Sequence, residues 1–238
     1  KHPHPRPHRA PFAAARGRRE VGRRHHDSPA KGIEGFNLTV PGDPSSAAFW
    51  AVLAAVHPDS DLRVRRVCLN PSRTGFLDVL LRMGADITVE GQHQEGGEMV
   101  GDLHIRSSAL KGVVVDRWEV PSMIDEVPVL ALAAAVATGN SSFEGLAELR
   151  HKEVDRLAAI QRQVGAFGAR IEMQGDDLLV PGSGTLLGAA VSSEGDHRMA
   201  MTLAIAGSVA GGETSLQGSE AAAVSYPDFF QQLRAVSQ

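Results

Sequence analysis

The chain has 238 residues, 42% of them hydrophobic and 22% charged, which is the balance of an ordinary globular protein able to bury a sizeable core. No apolar run reaches the roughly 18 residues of a membrane span, no apolar stretch at the start suits a secretory signal, and one cysteine, Cys68, excludes an internal disulfide. A cytoplasmic protein with no membrane partner is expected.

The formal net charge of -4 is unevenly spread. Residues 1–35 hold nine of the 24 Lys and Arg and three of the 28 acids, leaving 15 basic against 25 acidic residues elsewhere, a charge of -10. The opening Lys1-His2-Pro3-His4-Pro5-Arg6-Pro7-His8-Arg9 lacks ordered ligand spacing and interleaved aromatics, so neither a metal site nor a nucleic-acid arm is expected. A disordered leader over residues 1–37 is, followed by one domain over 38–238.

Three segments of that domain share one grammar. Asp43, Asp125 and Asp196 each precede an Ala-rich apolar run, to Val56, to Ala137, and from Met199 to Ala210, reading as capped helices buried all round. Strands are expected next at Leu62–Cys68, Ser141–Leu146 and Glu213–Leu216, and then amphipathic helices at about Thr74–Met83, Lys152–Phe167 and Pro227–Val236. The first two copies continue into strand pairs, Asp86–Glu90 with Asp102–Arg106 and Arg170–Met173 with Asp177–Val180, turning through 91–101 and Gly175-Asp176. The distances from Asp43 to Arg73, Asp125 to Glu153 and Asp196 to Ser225 are 30, 28 and 29 positions. The expected fold is α+β, with three helix-strand-helix-strand-strand units (about 38–110, 111–187 and 188–238) whose buried helices pack together and whose sheets face outward.

Charge gathers at two helix mouths. In Arg150-His151-Lys152-Glu153-Val154-Asp155-Arg156, a helix would set Lys152 and Arg156 on one face with Glu153 beside them, fit to hold a phosphate or carboxylate or simply to form a solvated first turn. Gly195-Asp196-His197-Arg198 abuts a buried helix, where backbone NH groups favour an anion and Asp196 could serve as cap with Arg198 as its partner. The adjacent acids Asp125 and Glu126 lie among apolar residues, where desolvation raises a carboxyl pKa and suits proton transfer, or else they cap the helix.

Four segments, Val40–Phe49 (Val-Pro-Gly-Asp-Pro-Ser-Ser-Ala-Ala-Phe), Asn70–Phe76 (Asn-Pro-Ser-Arg-Thr-Gly-Phe), Glu148–Leu157 (Glu-Leu-Arg-His-Lys-Glu-Val-Asp-Arg-Leu) and Gly195–Met201 (Gly-Asp-His-Arg-Met-Ala-Met), resemble in order and spacing the signature segments of EPSP synthases, and the resemblance covers residues 38–238. It implies an enolpyruvyl transferase-like domain, an inside-out α/β barrel, equivalent to the C-terminal half of the family. It also implies transfer of the enolpyruvyl group of phosphoenolpyruvate to the 5-hydroxyl of shikimate 3-phosphate in aromatic amino acid biosynthesis, by a monomer without metal or organic cofactor, in a family targeted by glyphosate. By the same resemblance Asp125 is the candidate base for the 5-hydroxyl and Glu153 handles the methylene proton. Lys152 lies beside shikimate and phosphate oxygens, Arg156 and Arg198 grip phosphoenolpyruvate, and His197 supports them.

This sequence departs from the family in two places. The N-terminal domain, which supplies most of the shikimate 3-phosphate contacts, has no counterpart here, and Val224 stands where many relatives carry a lysine. A folded half-domain that binds anions without turnover, or needs a complementing half, is therefore a second expectation. The related UDP-N-acetylglucosamine enolpyruvyl transferases share the fold but not usually the Lys-Glu-x-Asp-Arg run together with Gly-Asp-His-Arg.

Overall fold

The computed structural model describes residues 39–236. The leader expected over 1–37 lies outside the described residues.

Helix α1 (Pro44–Val56) begins where Asp43 accepts hydrogen bonds from the Ser45 and Ser46 amides and Pro44 presets the first-turn φ. With Ala at every few positions and Phe49, Trp50, Val52 and Leu53 between them, it has no polar face and is buried along nearly its whole length. Helix α3 (Val127–Val136) is buried the same way, and so is most of α5 (His197–Val209), which Asp196 caps. These three helices touch one another and form the centre of the core. Each large apolar side chain so placed contributes about 1.5–3 kcal/mol relative to exposure.

Each central helix lies against strands that follow it in the chain. Strand β1 (Asp61–Cys68) pairs antiparallel with β3 (Glu98–Arg106), which pairs with β2 (Asp86–Glu95). The second sheet has the order β4-β5-β7-β6, from Val114–Val115, Thr138–Phe143, Asp177–Ser183 and Glu172–Gln174. The third is the parallel pair β8 (Ala190–Ser192) and β9 (Ser215–Gln217). Amphipathic α2 (Gly75–Arg82) covers the first part of the core, and α6 (Phe229–Val236) seals α1 through Phe229, packed against Phe49 and Trp50.

Four expectations are corrected. Strand β2 does not end at Glu90: it passes a register shift before His93 and turns at Gly96-Gly97, both with the left-handed φ that a tight hairpin asks for. The strands expected at Ser141–Leu146 and Glu213–Leu216 are displaced to Thr138–Phe143 and Ser215–Gln217, because β5 starts directly at the end of α3 and β9 begins only after the turn at Gly211-Gly212. Asp125 does not cap α3; it sits in a 3-10 turn, Ile124–Glu126, ahead of it. The helix expected from Lys152 starts at Arg156 as α4 (Arg156–Ala159), runs on through a π turn at Ile160–Val164, and ends in a 3-10 turn before left-handed Gly168.

Candidate functional site

The site forms where the starts of α3, α4 and α5 meet. Asp155, not Lys152, opens α4: its carboxylate accepts the Ala158 amide at 3.0 Å, which fixes the first turn and leaves Lys152 extended in the preceding loop. Lys152 and Arg156 therefore do not share a helix face. They meet across one oxygen of Asp125, with Lys152 Nζ at 3.4 Å and Arg156 Nη1 donating at 2.9 Å.

Arg156 is the hub, at 1% exposed. Its Nε donates to Asp196 Oδ2 at 2.7 Å, its Nη1 to Asp125, and its Nη2 to Glu153 Oε2 at 2.5 Å. A buried guanidinium is tolerated only with its charge and donors matched, and three carboxylates on three different nitrogens do so. The sequence pairs Asp196 with Arg198; the side-chain partner is Arg156. The other Asp196 oxygen accepts the Arg198 and Met199 amides at 2.8 and 3.0 Å, so one carboxylate caps α5 and holds α4.

The Arg198 side chain turns the other way. Its Nη1 reaches Glu126 Oε1 at 3.2 Å and the Asp125 carbonyl at 3.3 Å, and its Nη2 lies 3.6 Å from Asp125 Oδ2. His197 Nδ1 is 3.4 Å from Glu153 Oε1, and Lys152 also holds Glu148 at 2.6 Å. All six residues singled out from the sequence, Asp125, Lys152, Glu153, Arg156, His197 and Arg198, are thus brought together.

Burial raises the Asp125 carboxyl, but Arg198, Lys152 and Arg156 outweigh it and hold the group below the usual carboxylate range. This corrects the expectation that desolvation dominates there. It does dominate at Glu126, where burial pushes the carboxyl up against the opposing effects of Ser45 and Arg198. At Lys152, burial pulls the ammonium down, and Glu148 and Asp125 more than restore it. His197 is lowered by burial and by Arg198, with Asp196 and Glu153 opposing. Three cations here face five carboxyl groups, Asp125, Glu126, Glu148, Glu153 and Asp196, so an anionic ligand must compete with carboxylates already in place.

Sequence reasoning missed the roles of Glu126 and Glu148 as cation partners, and of Ser45, whose contacts cross the chain and follow no periodicity. The doubling of acids at Asp125-Glu126 was the available signal. Among the described residues no group of three or more His, Cys, Asp and Glu is placed to hold a metal ion, and no helix is long and apolar enough to cross a membrane.

Residues 22–233 match the family model of EPSP synthase (3-phosphoshikimate 1-carboxyvinyltransferase). A 3-phosphoshikimate 1-carboxyvinyltransferase of Roseiflexus castenholzii is 51% identical over 209 residues, covering 88% of this chain and 48% of that protein. The solved EPSP synthase of Acinetobacter baumannii superposes with a TM-score of 0.81 at 37% identity, over 84% of this chain and 47% of its own. The enolpyruvyl transferase NikO of Streptomyces tendae, 20% identical with a TM-score of 0.64 over 84% of this chain and 44% of its own, shares the fold. The chain spans about half the length of the curated relatives it matches.

Proposed function

Because this chain belongs to the EPSP synthase (3-phosphoshikimate 1-carboxyvinyltransferase) family, we propose that it supplies one wall of a site transferring the enolpyruvyl group of phosphoenolpyruvate to the 5-hydroxyl of shikimate 3-phosphate. The observation that carries this reading is the convergence of Asp125, Glu153 and Asp196 on buried Arg156, with Lys152 and Arg198 flanking Asp125.

In this reading Glu153, whose side chain is about half exposed, gives a proton to the methylene carbon of phosphoenolpyruvate. The 5-hydroxyl oxygen attacks the adjacent carbon while Asp125 takes its proton, giving a tetrahedral ketal. Loss of a methyl proton and departure of phosphate restore the double bond, with acid and base exchanging roles. Lys152 and Arg198 offset charge on the departing phosphate and the carboxylate. Arg156 is closed by its three carboxylates, so it serves first as the post that holds Asp125 and Glu153, and reaches phosphoenolpyruvate only if one of them gives way. No metal or organic cofactor is needed.

The reading takes α1, α3 and α5 with their sheets as three copies of one unit, over about 38–110, 111–187 and 188–238, arranged as an inside-out barrel. It is supported by the mutual contact of the three helices and by matching parallel bridges at Lys111–Thr138 and Leu187–Gly211, each two residues past a central helix. A monomer in the cytoplasm is part of the same reading, the reducing compartment being supported by the lone Cys68.

A second reading, an inactive or complementation-dependent half-domain with only residual anion binding, is favoured by one observation: every site cation already has a carboxylate partner that an incoming anion must displace. Phosphate release from phosphoenolpyruvate in the presence of shikimate 3-phosphate separates the two. Turnover that Glu153→Ala abolishes supports transfer; no release above the Glu153→Ala background supports the inactive half-domain.

A further inference from the structure

Two of the signature segments, Val40–Phe49 and Asn70–Phe76, take no part in the reaction as drawn, yet both lead to Arg198. Glu126, buried behind the site, accepts from Arg198 Nη1 at 3.2 Å, and Ser45 and Arg73 favour its charged form against the burial that opposes it. Ser45 is buried in the first turn of α1, and its Oγ accepts from Arg73 Nη2 at 2.9 Å. Arg73, half exposed, stands 3.7 Å from Asp43, the cap of α1.

A free arginine samples many rotamers and loses them on binding, which weakens the complex. One already tied at Nη1 has given up much of that freedom beforehand, and Glu126 is placed to tie it without facing the reacting groups, unlike Asp125 and Glu153.

We propose that Glu126 is a positioning residue which, backed by Ser45 and Arg73, fixes the Arg198 guanidinium at the mouth of the site before an anion arrives. This rests on the reading of Arg198 as a phosphoenolpyruvate contact, but its first test does not. In the ligand-free chain, the Arg198 Nε–H resonance and its heteronuclear NOE are compared in the parent protein, Glu126→Ala, Glu126→Gln and Ser45→Ala, with the signal assigned by its loss in Arg198→Lys. Glu126→Ala is expected to move that resonance and lower its NOE, Ser45→Ala to do so in part, and Glu126→Gln, which keeps the accepting oxygen, to leave it near the parent. Titration with phosphoenolpyruvate should then show affinity about tenfold weaker for Glu126→Ala and restored in Glu126→Gln, the scale of the side-chain freedom that a tied arginine gives up beforehand.

An Arg198 signal equally rigid and unshifted in Glu126→Ala and Ser45→Ala overturns the proposal. So does a Glu126→Gln protein as loose at Arg198 as Glu126→Ala. If Glu126→Ala loses its dispersed amide spectrum, Ser45→Ala decides. A parent protein that binds no phosphoenolpyruvate defeats the functional reading instead, and the ligand-free comparison still decides this one.

Discussion

Arg156 and Asp196 form a fully buried pair, at 1% and 0% exposed, joined Nε to Oδ2 at 2.7 Å across 40 residues of sequence. The same aspartate caps α5 with its other oxygen. One side chain therefore fixes the relative position of two helix starts and compensates a buried charge. Asp196→Ala leaves Arg156 with Asp125 and Glu153, so the cost is that of one buried charge-assisted hydrogen bond, about 1.5–3 kcal/mol, with about 1 more for the cap. Asp196→Ala should therefore lower unfolding stability in denaturant by about 2.5–4 kcal/mol. A loss under about 1 kcal/mol would mean that neither the bond to Arg156 nor the cap matters to the fold.

Arg156→Lys should also fail as a conservative change. Three carboxylates are met by three nitrogens in a planar fork, and a lysine offers one. Asp125 and Glu153 should lose their fixed separation, seen as a lower melting temperature and as shifted side-chain carboxyl resonances for both. Unchanged resonances would show that the post is unnecessary.

His197 supplies a pH prediction. Burial and Arg198 place its folded pKa below the ordinary value of about 6.5, so the unfolded chain takes up its proton first as pH falls. The stability contribution of neutral His197 is complete above about pH 6.5 and is lost as pH drops from there through the folded pKa. Its ring-proton titration should have a midpoint below 6.5, and Glu153→Gln should lower it further by removing a charge that favours the imidazolium. A midpoint at or above 6.5 contradicts the account.

Gly112 and Gly188 occupy matching crossovers, where any Cβ would collide with the backbone of Asn140 and Glu213 respectively. Each amide donates to a carbonyl of the chain leaving a central helix, to Thr138 and to Gly211, both at 2.9 Å. Gly188→Ala should destabilise by about 1–3 kcal/mol through forced backbone movement. Gly165→Ala, a helical position with open space, should be neutral or stabilising by a few tenths up to about 1 kcal/mol. Equal melting temperatures for the two variants would contradict this packing.

The central helices were legible because an apolar run with a capping aspartate has few alternatives, and α1 and α5 start one residue after Asp43 and Asp196. The start of α4 was not, because Asp155 competes for the capping role within a charged run that reads equally well as a first turn. The members of the site could be named from local motifs and family resemblance, but their pairing could not. Asp196 chooses Arg156 over its neighbour Arg198, and Glu126 meets Arg198, through contacts that only the packing of α3, α4 and α5 brings into range.

The central claim is that the starts of α3, α4 and α5 together form an anion site for phosphoenolpyruvate. Titrating the chain with phosphoenolpyruvate while following backbone amides and arginine Nε groups tests it most directly. The account predicts saturable shifts at Lys152, Glu153, Arg156, His197 and Arg198, weakened by a free energy of about 1.5–3 kcal/mol in Arg198→Ala with the rest of the spectrum kept. Shifts that avoid these residues, or that are as strong in Arg198→Ala as in the parent chain, would contradict it.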